Sequence, residues 1–97
     1  MPLTVVQNHP IYVTGTITTT NSAITTKNTI ITGLYWYAPT TIGHTCILRD
    51  GNLKEIFAFK TVVANQSQYF SFPDALVAVD GLYCYNMDSG ELYVFVR

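Results

Sequence analysis

Charged residues are scarce in this sequence. Lys, Arg, Asp and Glu make up 11% of the 97 residues, and the formal net charge is -1. The five basic residues are scattered, so the chain has no basic stripe to bind a nucleic-acid backbone. It has no acidic run either. Because a net charge near zero protects poorly against association, the composition favours a protein that packs beside copies of itself.

Long apolar runs and cysteines are also lacking. No stretch is long enough to cross a bilayer, and the first residues lack the basic start and apolar run of a secretion signal. We therefore expect no membrane partner and a protein that is kept in a cell interior or leaves it by lysis. The two cysteines, Cys46 and Cys84, are too few for a disulfide scaffold or a zinc site. Two buried free thiols are favoured over a bridge between them.

The sequence contains no recognisable catalytic constellation. His9 and His44 lie in predicted loops, outside any cluster with metal-ligand spacing. Asp50, Asp80 and Asp88 each lie within two residues of a glycine, which is typical of turns. Phosphate-binding glycine loops are absent. We predict that the protein is not an enzyme and that it has no catalytic residues, no cofactor and no metal site.

What the sequence does contain is a motif that occurs twice. Gly-Leu-Tyr-X-Tyr spans residues 33–37 and again 81–85, and each copy continues through a polar loop to a further apolar strand. We interpret each copy as the start of a β-hairpin. Because side chains alternate along a strand, the tyrosines share one face and their neighbours the other. The predicted inward residues are Leu34, Trp36, Leu82 and Cys84.

Short strand patterns account for the rest of the chain. Residues 1–13 are predicted to be extended, with a new strand after Pro10 near a sheet edge. The threonine-rich stretch 14–29 is interpreted as a polar hairpin that turns near Asn21 and Ser22. Asp50 and Gly51 suggest a tight turn in which the glycine has a positive φ.

These strands predict an all-β fold. We count roughly seven to eight short strands, at the spacing typical of a sandwich or barrel, and no amphipathic helix of useful length. The prediction is a single-domain antiparallel β-sandwich over residues 1–97, jelly-roll-like or immunoglobulin-like in topology. Residues 1–13 are a candidate extended N-terminal arm.

The outward tyrosines are the main candidates for binding. With few charges nearby they would form an apolar, hydroxyl-tipped surface of the composition favoured at protein contacts. Two alternatives remain open, namely a reversed face assignment and a loop that covers the rings. Aromatic faces also stack on sugars, so carbohydrate binding is a further alternative. The interface candidates are Tyr35, Tyr37, Tyr83 and Tyr85, together with Leu3 and Val5 of the candidate arm.

An ordered series of motifs runs from residue 30 to the end of the chain: Ile31–Tyr37, Thr41–Gly43, Leu48–Asn52, and Gly81–Tyr83 with Gly90. In this order the chain resembles small all-β virion proteins of tailed bacteriophages. The resemblance implies a structural virion protein, in the first place a capsid decoration or cement protein that binds and stabilises the assembled shell. The alternative it implies is a carbohydrate-binding tail or fibre adhesin module.

The same resemblance implies the partners and the location. The partners would be the major capsid protein or other virion proteins, and the chain would form a homo-oligomer, with a trimer favoured. The protein would be located in the virion, assembled in the host cytoplasm.

Overall fold

The computed structural model describes residues 3–97, which form β-strands and no helix. The strands are β1 (Thr4–Val6), β2 (Ile11–Thr14), β3 (Ser22–Ala23), β4 (Thr29–Tyr37), β5 (Thr45–Asp50), β6 (Glu55–Lys60), β7 (Gln68–Ala78), β8 (Leu82–Met87) and β9 (Glu91–Val96). They build a five-stranded sheet in the order β1-β2-β9-β4-β7 and a four-stranded sheet in the order β3-β8-β5-β6. The predicted antiparallel β-sandwich is confirmed, with nine strands within the described range.

The strand pairing shows that the chain folds as one long hairpin. β2 pairs with β9, β3 with β8, β4 with β7 and β5 with β6, all antiparallel. The first half of the chain therefore runs back along the second half, and the β5–β6 turn is the tip. Rolling such a hairpin into two facing sheets produces the jelly-roll arrangement. The pairing thus selects the jelly-roll-like topology over the immunoglobulin-like one.

The two Gly-Leu-Tyr-X-Tyr repeats are not hairpins, so that prediction is wrong. In the first repeat, β4 lies in the five-stranded sheet and β5 in the four-stranded sheet. In the second repeat, β8 lies in the four-stranded sheet and β9 in the five-stranded sheet. Each repeat therefore crosses from one sheet to the other. Because β4 pairs with β9 and β5 with β8, the two repeats lie beside each other in equivalent positions.

The loops that make these crossings, residues 38–44 and 88–90, contact each other at one end of the sandwich. The indole Nε1 of Trp36 donates a hydrogen bond to the backbone oxygen of Ser89 at 2.8 Å. The Ser89 hydroxyl lies 2.7 Å from His44 Nδ1. These bonds between the two repeats take the place of the local turn hydrogen bonds that a hairpin would have used.

The core lies between the sheets and contains one side of each repeat. Leu34, Trp36, Leu82 and Cys84 are all fully buried, which confirms the predicted face assignment. Cys46 is buried as well, and both cysteines are free thiols. A hydrogen bond with Cys84, together with burial, holds the pKa of the Cys46 thiol well above its ordinary value.

The candidate N-terminal arm contributes β1 and the start of β2 to the five-stranded sheet. β1 pairs with β2, and β2 pairs with β9, so β2 is an internal strand and not the predicted edge. Ile11 and Val13 are 4% and 0% exposed. Burial of their apolar surface holds this segment on the body of the domain. Leu3 and Val5 are half-buried and pack against the core. Residues 1–2 of the predicted arm lie outside the described residues.

The threonine-rich stretch is a crossing between sheets and not the predicted hairpin. Ser22 and Ala23 form β3, which pairs with β8, so Ser22 is not in a turn. Ile17 exchanges two backbone hydrogen bonds with Met87, and Ile24 is 2% exposed. Ile17 and Ile24 attach the stretch to the four-stranded sheet. The stretch therefore pairs with β8 and not with itself, as a hairpin would.

The turn at Asp50 is confirmed in position but differs in geometry. The buried Asp50 carboxylate accepts a hydrogen bond from the backbone nitrogen of Asn52 at 2.9 Å. The positive φ lies at Leu53, at 62°, and not at Gly51. A Cβ at position 51 would collide with the Asp80 backbone carbonyl. Glycine is therefore required here by the close approach of another chain segment, and Gly51→Val should damage folding.

Candidate functional site: an aromatic face of the five-stranded sheet

Four tyrosines lie directly opposite one another on neighbouring strands of the five-stranded sheet. Tyr12 of β2 faces Tyr93 of β9, Tyr93 faces Tyr35 of β4, and Tyr35 faces Tyr69 of β7. In that order the ring centroids are 4.8, 5.9 and 6.4 Å apart. These separations fall in the range in which aromatic rings attract each other. We term this row the tyrosine ladder.

Two further rings widen the ladder. Tyr37 lies 6.1 Å from Tyr35, and Phe95 lies 6.2 Å from Tyr69, measured between ring centroids. Tyr37 and Tyr69 are 48% and 58% exposed, while the other rings are half-buried by their neighbours. The ladder with these two additions forms the aromatic face: Tyr12, Tyr35, Tyr37, Tyr69, Tyr93 and Phe95.

Strand alternation explains why these rings share one side of the sheet. In β9, Leu92 and Val94 are buried, so Tyr93 and Phe95 must point outward. Gly33 of β4 lies opposite Phe95, and a Cβ added to it would be 3.1 Å from the Tyr69 hydroxyl oxygen. The missing side chain thus leaves room for the ring of Tyr69 to lie across β4.

The sheet that carries this face is almost free of charge. Its five strands contain only two charged residues, Glu91 of β9 and Asp74 of β7. Glu91 follows the same alternation as Tyr93 and lies opposite Tyr37. A hydrogen bond to the Glu91 carboxylate, together with partial desolvation, raises the pKa of Tyr12 to about 12. Tyr12 therefore stays neutral and keeps its hydroxyl proton.

A shallow hollow lies at one end of the aromatic face. Its volume is ≈ 300 Å³, and it is lined by Tyr37, Ala38, Gly90 and Glu91. Ala38 and Gly90 both have positive φ angles, 50° and 80°, and they lie immediately after β4 and immediately before β9. The hollow thus combines an exposed ring, a carboxylate and backbone groups.

The structure separates the predicted tyrosines into two groups. Tyr35 and Tyr37 lie on the aromatic face, whereas Tyr83 and Tyr85 lie on the outer side of the four-stranded sheet. All four point outward as predicted, but they do not form one surface, because β4 and β8 belong to different sheets. Above Tyr85 the guanidinium carbon of Arg49 lies 3.5 Å from the ring centroid. This cation–π contact covers the ring of Tyr85, so less of the second group is free for docking.

The other predicted interface residues also lie away from the aromatic face. Val5 is opposite Val13, and both side chains face the core. Four members of the face were missed: Tyr12, Tyr69, Tyr93 and Phe95. The alternation in Ile11-Tyr12-Val13 and Leu92-Tyr93-Val94 was a usable signal for an outward ring. The order of the strands in the sheet, which aligns the rings, cannot be predicted from any short stretch of the sequence.

Within residues 3–97, no three His, Cys, Asp or Glu side chains come together as a metal site. Over the same residues, no helix is long and apolar enough to cross a membrane. Comparisons with protein-family models, with curated proteins and with solved structures found no match. The groups gathered on the aromatic face can stack, exclude water and donate or accept hydrogen bonds.

Proposed function

We propose that the protein is a structural virion protein, a capsid decoration or cement protein that acts by adhesion through its aromatic face. The observation that carries this proposal is the tyrosine ladder, a row of four rings across four adjacent strands with one carboxylate beside it. Such a surface is suited to contact with another protein. Its partners would be the major capsid protein or other virion proteins.

The physical argument rests on the properties of tyrosine. Each ring buries a large apolar area, and its hydroxyl can still form a hydrogen bond at the rim of a contact. Because the ladder rings already pack against one another, little side-chain entropy remains to be lost on binding. The scarcity of charge means that few ions must be desolvated. Rigid, uncharged aromatic groups of this kind commonly dominate binding energy at interfaces.

The experiment is co-sedimentation with shells assembled from the major capsid protein encoded in the same genome. We expect the native chain to pellet with the shells and to raise the temperature at which they disassemble. The double variant Tyr37→Ala and Tyr93→Ala should weaken binding by at least about 30-fold, the equivalent of one interface hot spot of about 2 kcal/mol.

The matched control is Tyr83→Ala, which removes a tyrosine from the opposite sheet. It should bind shells like the native chain. The proposal is overturned if the native chain stays in the supernatant, or if the control variant and the double variant lose binding to the same extent.

One observation favours a second function, a carbohydrate-binding tail or fibre adhesin. Tyr37 and Glu91 border the same hollow, so an exposed ring that can stack on a sugar lies beside a carboxylate that can accept hydrogen bonds from sugar hydroxyls. On a glycan array, binding that disappears in Tyr37→Ala and Glu91→Gln but persists in Tyr83→Ala would support this function. Absence of binding across the array would argue against a carbohydrate-binding function.

A further inference from the structure

The four sheet edges of this sandwich differ greatly in length and charge. β1 and β3 have three and two residues, and β6 has six with a charge at each end, Glu55 and Lys60. β7 has eleven residues, of which only Asp74 is charged. A long edge strand presents a row of unpaired backbone N–H and C=O groups, which can pair with another strand unless charge or shape prevents it. β7 is therefore the edge most open to pairing.

Exposed apolar side chains are concentrated on and around the same strand. Tyr69 points outward and is 58% exposed, whereas Phe70 lies opposite the buried Leu34 and is still 44% exposed. Both faces of β7 thus carry an uncovered aromatic ring. Val77 of β7 is also exposed, and so are three residues that flank the strand in the chain: Val62, Val63 and Val79.

The uncovered inner face belongs to an aromatic cluster between the edges of the two sheets. Phe57 of β6 lies 5.0 Å from Phe70 and 5.4 Å from Phe72, measured between ring centroids. Phe59, which is buried, lies 5.5 Å from Phe70. The cluster closes the gap between the sheets on this side, but it leaves part of Phe70 in contact with solvent.

We propose that β7 pairs antiparallel with β7 of a second copy of this chain over Gln68–Phe72, which would join the two five-stranded sheets edge to edge. A strand is the one element that covers both faces of an edge and also satisfies its backbone groups. This interaction shares Tyr69 with the aromatic face, but it does not depend on the shell binding proposed above.

The sequence of this segment explains why the occupant is a second copy. When Gln68-Tyr69-Phe70-Ser71-Phe72 is paired antiparallel with itself about Phe70, each Tyr69 faces the small Ser71 of the other copy. The two Phe70 rings then face each other above the aromatic clusters. No charged residue lies in the paired segment, so the two-fold arrangement brings no like charges together.

The same strand limits how far the pairing extends. The β4–β7 register jumps from Gly33–Ser71 to Ile31–Leu76, so residues 72–75 leave the regular ladder. Pro73 and Asp74 lie in this interruption and prevent extension of the joint. A joint of five residues is small, so we expect a dissociation constant in the micromolar range or weaker, roughly the behaviour of interfaces below 1,200 Å².

Sedimentation velocity over a range of concentrations tests this proposal. The native chain should shift from the mass of one chain, 10.8 kDa, towards twice that value as concentration rises. Ser71 is exposed, so Ser71→Lys should leave the fold intact while placing two hydrated ammonium groups in the joint. We expect it to weaken dimerisation at least about tenfold.

The matched control is Thr4→Lys, an exposed position on β1 at the opposite edge of the same sheet. It should dimerise like the native chain, and so should the double variant Tyr37→Ala and Tyr93→Ala. In a second measurement, Phe70→Cys should form a reducible dimer on mild oxidation, and Thr4→Cys should not.

A native chain that stays monomeric at the highest concentration overturns the proposal, as does a Ser71→Lys variant that dimerises normally. If Phe70→Cys does not fold, the dimerisation of Ser71→Lys compared with that of the native chain and Thr4→Lys decides whether the proposal stands. A chain that dimerises through β7 and ignores shells would refute the proposed function and leave this inference standing.

Discussion

The two Gly-Leu-Tyr-X-Tyr repeats share one local pattern and have different surroundings. In both, the leucine enters the core and the tyrosines point outward. In β4 the next inward residue is Trp36, and Tyr35 joins a row of rings. In β8 the next inward residue is Cys84, and Tyr85 lies beneath Arg49. The same five-residue pattern therefore produces a row of rings on one sheet and a tyrosine covered by an arginine on the other, because the strands on either side differ.

The largest expected difference between the repeats is in the core. Trp36→Ala should cost about 3–5 kcal/mol, because the buried indole contacts Phe59 and its Nε1 donates to Ser89. Cys84→Ala removes one sulfur atom and should cost about 1 kcal/mol. Urea denaturation of both variants measures the difference. Equal costs would mean that the indole is not the main packing element at this end of the sandwich.

The glycines that open the repeats should also differ. Gly81 has a φ of +125°, and an added Cβ would lie 2.8 Å from the backbone oxygen of Thr25. Gly81→Ala should therefore cost roughly 1–3 kcal/mol or more. Gly33 has no such φ, and its added Cβ would meet the Tyr69 hydroxyl at 3.1 Å, a contact that a shift of a few tenths of an ångström at the end of that side chain would relieve. Gly33→Ala should cost less than about 1 kcal/mol.

Denaturation curves of the two alanine variants make this comparison. A Gly33→Ala variant as unstable as Gly81→Ala would show that neither Tyr69 nor the backbone around position 33 can make even this small shift.

A smaller difference is expected between the outward tyrosines. Tyr85→Leu removes the stacking partner of Arg49 and should cost roughly 0.5–1 kcal/mol. Tyr37 is 48% exposed and lies at the end of the ladder, so Tyr37→Leu should cost less. Thermal melts of both variants test the order. The reverse order would mean that the ladder contributes more to folding than the cation–π contact does.

The smallest effect concerns proton binding on the aromatic face. The pKa of Tyr12 is about 12, above its ordinary value of 10.0, mainly because of the hydrogen bond to Glu91. The neutral phenol is favoured in the folded state, so this contribution to stability is complete below about pH 10 and is lost as pH rises towards about 12. Glu91→Ala should lower the pKa towards 10.0.

Spectroscopic titration of tyrosinate in the native and Glu91→Ala chains measures that shift. Tyr12→Phe identifies the phenol concerned, since it should remove the late-titrating component. A titration curve that Glu91→Ala leaves unchanged would show that Tyr12 and Glu91 are not in contact in solution.

Local patterns predicted a large part of this fold. The alternation of Leu34, Tyr35 and Trp36 indicated which face of β4 is buried, and the turn at Asp50 was placed correctly. Prediction failed where a segment's partner is distant in the chain. Residues 38–44 looked like the loop of a hairpin, yet they carry β4 into the other sheet because they bond to Ser89. For the same reason, only part of the candidate site was predicted. Tyr35 and Tyr37 were identified, but the rings that align with them lie on strands distant in the chain and were not.

The sequence by itself determined that the chain forms β-strands, which side of each repeat is buried, and that little charge remains on the surface. These properties follow from the alternation of side chains along a strand, which involves only neighbouring residues. Only the tertiary structure decided which sheet each strand joins, and therefore that Tyr12, Tyr93, Tyr35 and Tyr69 form one row while Tyr83 and Tyr85 lie on the opposite side. Strand partners are selected by burial of the whole set of apolar faces at once, a condition that no single stretch of sequence contains.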